Sequence, residues 1–199
     1  MKKILAIAAL LISGSFASLS YAQDDIALGN PGYGGTGCPD GTASVTLSPD
    51  QKSLSILFDA FVVEAGGSTN KSFDRKVCNV AIPVHVPQGI SVSILAIDYR
   101  GFNDIPQGAK TTFGVEYFFA GIKGPVFNKT FNGPISDEYL VSNQLQASAL
   151  VWSKCGADVI LRTNPSVRVQ TTQNKPAVAT LDSEDINASI IYQLQWKSC

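Results

Sequence analysis

Polar and apolar residues alternate along much of this chain, and this period of two is the feature that most constrains its fold. From Ala43 to Leu47, apolar residues alternate with serine and threonine. A longer alternation runs from Ile186 to Trp196, with Ile191 as its one exception. Successive side chains of a strand point to opposite faces of a sheet. Both segments are therefore predicted to be strands with one buried and one solvated face.

Further short strands are predicted between these two segments. They are residues Leu54–Phe58, Val80–Val86, Ile90–Tyr99, Thr111–Ala120, Val126–Phe131, Leu145–Trp152, Ala157–Arg162, Val167–Thr172 and Ala177–Leu181. Glycine and proline separate many of them, which is typical of a two-sheet sandwich or a jelly-roll-like fold. Helix is predicted only within Ser136–Gln146, where Ser136 is suited to cap a first turn that holds two acids. The predicted fold class is all-β with little helix.

The N-terminus has the three-part layout of a secretory signal peptide. Two lysines precede an apolar run from Ile4 to Ile12, and small residues follow as far as Ala22. The run is far shorter than the roughly 20 residues that a membrane-spanning helix needs. We therefore predict a signal peptide at residues 1–22, export to the periplasm or beyond the cell, and no membrane span in the mature chain.

The mature chain is predicted to form one domain behind a flexible lead-in. Residues 23–37 are rich in glycine and can bury little surface by themselves, so we expect a mobile segment there. Residues 38–199 have the length of a single domain that buries roughly 70% of the surface of its unfolded chain. The sequence thus predicts one disulfide-bonded β-sandwich over residues 38–199.

The charge of the mature chain argues against nucleic acid as a partner. Lys2 and Lys3 are removed with the signal peptide, so two of the 15 basic side chains are lost and 13 face 16 Asp and Glu. The sequence contains no run of basic residues that would neutralise phosphates. We expect other partners for this protein.

Four cysteines, at positions 38, 78, 155 and 199, remain after cleavage. An even number in an oxidising compartment predicts two disulfides. A zinc site would need paired ligands two to four residues apart, whereas these cysteines are widely spaced and His85 is the one histidine. Of three connectivities we favour Cys38–Cys78 with Cys155–Cys199. Each bridge then joins cysteines that are neighbours in the sequence and stabilises one half of a sandwich, and no part of the chain has to pass through a loop that a bridge closes.

Catalytic chemistry has little support in the sequence. His85 is the one side chain whose type suits acid–base work near neutral pH, and no G-x-S-x-G elbow supplies a nucleophile. We assign no catalytic residue, no metal ligand and no cofactor. The acidic turn Asp182–Asp185 leaves calcium binding open, and scattered carboxylates leave a secreted polysaccharide hydrolase as the alternative function.

The candidate binding residues are Asp98, Tyr99, Arg100 and Phe102. These residues close the longest apolar strand, and we expect them in a loop that presents polar and aromatic tips above a rigid sheet. A simpler interpretation is an Asp98–Arg100 ion pair that orders the loop. The sequence favours an extracellular or envelope module that binds a glycan, a surface polymer or a partner protein and does not catalyse.

Several segments resemble one known family. They are Gly34-Gly35-Thr36-Gly37-Cys38-Pro39, Leu57-Phe58-Asp59, Cys78-Asn79-Val80-Ala81-Ile82-Pro83-Val84, Pro87-Gln88-Gly89, Asp98-Tyr99-Arg100-Gly101 and Trp152-Ser153-Lys154-Cys155-Gly156. In order and spacing they are similar to the secreted family catalogued as domain of unknown function 4360, from about Gly34 to Cys199. The resemblance implies a small secreted protein with paired cysteines, found in bacteria and fungi. It implies no catalytic residue, substrate or partner.

Overall fold

The computed structural model describes residues 25–171, 175–181 and 189–199. The predicted signal peptide and the acidic turn Asp182–Asp185 lie outside these ranges. Within them, the helices are two short 3-10 turns, Gly67–Thr69 and Ala147–Ala149. The prediction of an all-β fold with little helix is confirmed.

Fourteen strands lie in the described residues. They are β1 (Ala27–Leu28), β2 (Gly32–Gly34), β3 (Ala43–Leu47), β4 (Ser53–Phe58), β5 (Val62–Ala65), β6 (Phe73–Val77), β7 (Asn79–His85), β8 (Ile90–Ile105), β9 (Lys110–Phe119), β10 (Val126–Asn132), β11 (Ile135–Gln144), β12 (Val159–Gln170), β13 (Ala177–Thr180) and β14 (Ile190–Ser198).

These strands form two seven-stranded antiparallel sheets. In sheet A the order is β1-β7-β12-β9-β10, with β2 also paired to β7 and β6 to β12. In sheet B the order is β3-β4-β14-β8-β13-β5, with β11 on the other side of β8. The inner faces enclose one apolar core, so the predicted two-sheet sandwich is confirmed.

Aromatic side chains from both sheets meet in this core. Tyr99 of sheet B stacks on Phe127 of sheet A with ring centroids 5.4 Å apart, and Phe113 lies 4.7 Å from the same tyrosine. Tyr192 contacts Tyr117 edge-on and shares a hydrogen bond with the Thr163 hydroxyl. Such contacts fix how the two sheets are seated on each other.

The long strand β8 changes its inward face at one residue. Gln193 of β14 pairs with Ala96, but the next residue, Leu194, pairs with Ile94, so Leu95 is an extra residue in β8. Leu95 is 46% exposed. A bulge of this kind shifts the alternation by one position, so the apolar inward positions are even-numbered before Leu95 and odd-numbered after it.

Both predicted disulfides are present. Cys38 is bonded to Cys78, and Cys155 is bonded to Cys199. The first bridge is fully buried in the core. The second lies at the surface, where it ties the end of β14 in sheet B to the segment that leads into β12 of sheet A. The connectivity derived from sequence neighbours is therefore confirmed.

The predicted helix within Ser136–Gln146 is wrong, because this segment forms β11. Its residues pair with β8 from Ile135 opposite Ile105 to Gln144 opposite Ala96. The Tyr139 ring packs against Phe131, and the Tyr139 hydroxyl donates a hydrogen bond to the carbonyl oxygen of Thr180 at 2.8 Å. Ten ladder positions and a buried tyrosine outweigh the local capping signal, which acts on one turn only.

Three other local predictions need correction. The predicted strand over 145–152 is replaced by a 3-10 turn and a single bridge between Ser93 and Trp152. The predicted strands at 157–162 and 167–172 are joined in one strand, β12. The glycine-rich lead-in at 23–37 is not an unpaired tail, because β1 and β2 both pair with β7.

Candidate functional site

The candidate binding residues Asp98, Tyr99, Arg100 and Phe102 lie within β8, so the expected loop is wrong. The strand continues through them because β11 pairs with this half of β8 on one side, while β14 and β13 pair on the other. Tyr99 is fully buried. Burial, with Tyr192 and Tyr117 nearby, raises the pKa of its hydroxyl far above the usual value. Tyr99 therefore belongs to the core and cannot touch a ligand on the outer face.

The other three candidates lie on the outer face of sheet B. Asp98 accepts a hydrogen bond from the Ser142 hydroxyl at 2.6 Å. The expected Asp98–Arg100 ion pair does not form among the described residues. Phe102 is half-buried, and its backbone N–H donates to the Thr180 hydroxyl at 3.1 Å. These side chains share a sheet face, but the polar group of Asp98 is already bound within it.

Sheet A presents a second, more polar outer face. Along β12 the inward side chains are buried, and the residues between them point outward. The outward residues of β12 are Ile160, Arg162, Asn164, Ser166, Arg168 and Gln170, and those of β9 are Lys110, Thr112, Gly114, Glu116 and Phe118. Pairing places β6 and β7 on one side of β12, and β9 and β10 on the other. We refer to these outward residues of β6, β7, β12, β9 and β10 as the outer face of sheet A.

The two outer faces carry opposite charge. The outer face of sheet A holds four basic side chains against the single acid Glu116. The four are Arg75, Lys110, Arg162 and Arg168. The outer face of sheet B holds four acids against two basic side chains. These are Glu64, Asp98, Asp104 and Glu138 against Arg100 and Lys197. An overall acidic chain thus has one distinctly basic surface.

Two arginines of sheet A face each other directly. Arg168 of β12 is opposite Arg75 of β6 in the antiparallel register. Like charges in directly opposed positions destabilise a sheet. In the described parts of the chain, neither arginine has a carboxylate within ion-pair distance. The guanidinium of Arg168 lies 5.1 Å from the centre of the Phe73 ring, which holds the side chain against the surface.

Short side chains lie next to the arginine pair. Ser166, Gly114 and Asn128 are aligned across three neighbouring strands. A Cβ on Gly114 would lie 2.6 Å from the Oδ1 atom of Asn128, so the absence of a side chain lets Asn128 lie across the strand. Glycine inside a strand weakens it and often marks close approach by another group. The middle of this face is therefore low and polar.

A second arginine of β12, Arg162, marks the far end of a strip of outward residues that runs along this strand from Arg168. Arg162 lies on the same face of β12 as Arg168, six residues away, and Phe118 is opposite it on β9. At about 3.3 Å per strand residue, the two arginines are about 20 Å apart along the strand. Asn164 and Ser166 lie between them. The outer face of sheet A thus has positive charge at both ends, with amide groups, hydroxyl groups and the carboxylate of Glu116 in the middle.

His85 lies at the end of β7, beside a cavity of about 240 Å³. Its Nδ1 atom is 2.7 Å from the Oδ1 atom of Asp158, which is also 3.3 Å from the backbone nitrogen of Val86. The cavity lining is otherwise mostly apolar and includes Val159 and Ile160. A carboxylate on one ring nitrogen orients the imidazole. This is the one histidine–carboxylate pair among the described residues.

Neither metal binding nor a membrane helix is indicated in the described residues. No group of three or more His, Cys, Asp and Glu side chains is close enough there to hold an ion. No helix in the described ranges is long and apolar enough to cross a membrane. The candidate calcium turn lies in the part of the chain that is not described, so that prediction stays open.

Sequence reasoning missed the basic face because its members are far apart in the chain. Arg75, Lys110 and Arg168 belong to three different strands. A signal was present, since each is an outward position of an alternating segment, but only strand order places them side by side. His85 was noticed from its residue type, whereas its partner Asp158 is 73 residues away.

The fold and its bridges define a disulfide-bonded antiparallel β-sandwich with one basic outer face. The chain belongs to the family described as domain of unknown function (DUF4360), which matches residues 24–199. It is also similar to an "Uncharacterized secreted protein" of Arthroderma benhamiae, with 35% identity over 169 residues. That alignment covers 84% of this chain and 69% of the relative. The family resemblance seen in the sequence is confirmed.

Proposed function

We propose that this protein is an exported, non-catalytic module that binds an extended polysaccharide along the outer face of sheet A. The observation that carries the proposal is the strip along β12, in which Asn164 and Ser166 lie between Arg162 and Arg168. These groups lie on one straight strand. A polymer chain that runs along β12 would contact all four.

The chemistry of the strip suits sugar hydroxyl groups. A hydroxyl both donates and accepts hydrogen bonds, and amide side chains such as Asn164 and Asn128 offer both functions. The Phe118 ring, opposite Arg162, adds an apolar surface of the kind that packs against a sugar ring. Because these groups project from strands, their spacing is set before a ligand arrives, which lowers the entropic cost of binding.

Sheet B is the weaker candidate, although the sequence pointed to it. Tyr99 is inside the core, and Asp98 is hydrogen-bonded to Ser142. Arg100 also has no ion pair among the described residues, and its Nε is buried without a hydrogen bond. It is a single charge opposite Leu140, which is 59% exposed, so its surroundings are less polar than those of Arg168. The charge excess on this face is negative, as on the whole chain. We therefore take Arg100 as the reference position in the tests.

Native electrophoresis through gels that contain a polysaccharide tests the proposal. We expect the mature protein to be retarded by at least one polymer among neutral and acidic polysaccharides. The double variant Asn128→Ala/Asn164→Ala should weaken that retardation at least about fivefold, the loss expected for two hydrogen bonds of about 0.5–1.5 kcal/mol each. The matched amide control, Gln144→Ala on β11, should bind like the wild type.

Two outcomes would reject this function. The first is the absence of retardation in every polysaccharide gel at protein concentrations where the fold is intact by circular dichroism. The second is loss of retardation in Gln144→Ala or Arg100→Gln with no loss in the double asparagine variant. The second outcome would move the binding surface to sheet B, as the sequence alone indicated.

A second candidate function is hydrolysis of a polysaccharide, and His85 is the observation that favours it. An imidazole oriented by Asp158 beside a cavity has the arrangement of a general base. The cavity is close to Ile160 on β12, so a bound polymer could extend toward it. Release of reducing ends from a polysaccharide, abolished by His85→Gln while retardation is kept, would support this function and reject a purely binding one.

A further inference from the structure

We propose that the polysaccharide is acidic, and that Arg75 and Arg168 form the site for its carboxylate groups. This inference rests on the proposed function, since it names the ligand class of the same surface. The ligand is a uronic-acid polymer, in which carboxylates recur along a chain of hydroxyl-rich sugars. The two arginines would hold one carboxylate at one end of the strip, and Arg162 would meet another further along.

The first argument is the uncompensated charge of the arginine pair. Arg168 and Arg75 are directly opposed, so their Cβ atoms are about 5 Å apart. Lys110 lies one outward position further along, opposite Gln170 of β12. No acidic side chain of the described residues forms an ion pair with any of these three groups. An anion bound between the arginines would turn a repulsive pair into an attractive cluster.

The second argument is the preorganised position of the Arg168 side chain. Its guanidinium lies over the Phe73 ring, with Cζ 5.1 Å from the ring centre, and Phe73 is itself 53% exposed. This cation–π contact restrains the side chain, while N–H groups on the far side of the guanidinium can donate to a ligand. A guanidinium edge matches the two oxygens of a carboxylate through parallel hydrogen bonds. The Thr112 hydroxyl, opposite Arg168 on β9, lies 3.5 Å from the Thr130 hydroxyl and can donate to a ligand while it accepts from Thr130.

The third argument is the distance between the charged positions. Arg162 is about 20 Å from Arg168 along β12, so one small anion cannot contact both. A polymer with repeated carboxylates can do so, and its hydroxyls would pass over Asn164 and Ser166. Glu116, opposite Asn164, lies on the same face. Glu116 repels any polyanion that passes over it, and the repulsion is weaker for a uronic-acid chain, with at most one charge per sugar, than for a densely sulfated polymer.

The test compares three polymers in native affinity gels: polygalacturonate, which bears carboxylates, neutral dextran, and dextran sulfate. We expect the wild type to be retarded most strongly by polygalacturonate. Arg75→Gln/Arg168→Gln should raise the apparent Kd for polygalacturonate at least tenfold and make the remaining binding less dependent on salt. Arg100→Gln removes one positive charge from sheet B and should leave the Kd unchanged.

A conservative variant separates guanidinium geometry from charge. Arg168→Lys keeps the charge but loses the planar fork and the guanidinium contact with Phe73. We expect it to weaken polygalacturonate binding severalfold, between the wild type and the double glutamine variant. Equal binding by Arg168→Lys and the wild type would reject a guanidinium–carboxylate site.

The outcomes distinguish this inference from the proposed function. Equal retardation by dextran and polygalacturonate, unaffected by Arg75→Gln/Arg168→Gln, would overturn the inference and leave polysaccharide binding in place. Retardation by dextran sulfate alone would overturn the choice of carboxylate. Retardation by none of the three polymers would overturn the inference, and the absence of retardation in every other polysaccharide gel as well would overturn the proposed function. Near-ultraviolet circular dichroism of each variant checks that the fold is kept.

Discussion

Sheet A and sheet B have the same number of strands and share one core, yet their outer faces differ in charge. The inner faces are alike because each must bury apolar side chains against the other. Phe113 of sheet A and Tyr99 of sheet B are both fully buried. The outer faces are exposed to solvent and need not be apolar. The charged side chains of sheet A there are mostly arginine and lysine, whereas those of sheet B are mostly acidic.

The difference in charge between the outer faces identifies side chains that do not contribute to the stability of the fold. A polar group that serves stability has a partner, as Asp98 has in Ser142 on sheet B. The opposed pair Arg75 and Arg168 has no carboxylate partner among the described residues, and the Phe73 ring is the one contact that holds Arg168, so the repulsion between the two charges opposes folding. Groups that oppose stability and are exposed in a row are more consistent with a ligand than with packing. The outer face of sheet A is therefore the stronger candidate for ligand binding.

The largest expected change in the free energy of unfolding comes from a substitution on the inner faces. Tyr99→Ala should lower the free energy of unfolding by about 3–5 kcal/mol, because it opens a cavity against Phe113 and Phe127. Tyr99→Phe keeps the ring and should cost far less, since the buried hydroxyl makes no well-formed hydrogen bond, although the Asn143 side chain lies near it. Urea denaturation measures both. A Tyr99→Ala protein as stable as the wild type would contradict the position of Tyr99 in the core.

An intermediate effect is expected at alkaline pH. Burial raises the pKa of Tyr117 to about 12, and it raises those of Tyr99, Tyr139 and Tyr192 further. Above the unfolded pKa of about 10, the unfolded chain loses protons that the folded chain keeps. Stability should thus be constant below about pH 10 and fall as the pH rises toward 12.

Phenolate absorbance, followed together with near-ultraviolet circular dichroism, checks this prediction. We expect the four buried tyrosines, from both sheets, to ionise only as the near-ultraviolet signal is lost. Complete ionisation near pH 10 with that signal intact would mean that water reaches the hydroxyls in the folded state. The inner faces of the two sheets would then be less tightly packed against each other than the burial of these tyrosines indicates.

The smallest expected effect is on the outer face of sheet A. Arg75→Thr removes one of two opposed positive charges and introduces a residue that favours strands. It should raise the free energy of unfolding by about 0.2–1 kcal/mol at low salt, and less at high salt. Arg100→Thr on sheet B is the control, because Arg100 is opposite Leu140 and has no opposed arginine. A loss of stability in Arg75→Thr would mean that Arg75 has a structural partner.

Much of the fold could be predicted from local patterns. Alternation identified the strand at Ala43–Leu47, because one face of it is solvated and the period of two is visible. The cysteine pairing followed from spacing and from the oxidising compartment. The helix at Ser136–Gln146 was wrong because the evidence for β11 lies in its pairing with β8, which is far away in sequence.

The site was harder to predict for the same reason. The end of the strand at Tyr99 was set too early because the next two inward positions are Gly101 and Asn103, so the apolar alternation is no longer visible in the second half of β8. The basic face depends on Arg75, Lys110 and Arg168 becoming neighbours through strand order. Single-residue chemistry pointed to His85, but its orientation by Asp158 became visible only in the fold.

The most direct test of the central claim is a map of where an acidic polysaccharide touches the sandwich. Backbone amide chemical shifts of the mature protein, recorded with increasing oligogalacturonate, report both outer faces in one experiment. We predict shifts concentrated around Arg75, Asn164 and Arg168 on β6 and β12, with saturation and with loss at high salt. Shifts concentrated around Arg100 and Phe102 on β8, with β12 unchanged, would contradict the assignment of ligand binding to sheet A.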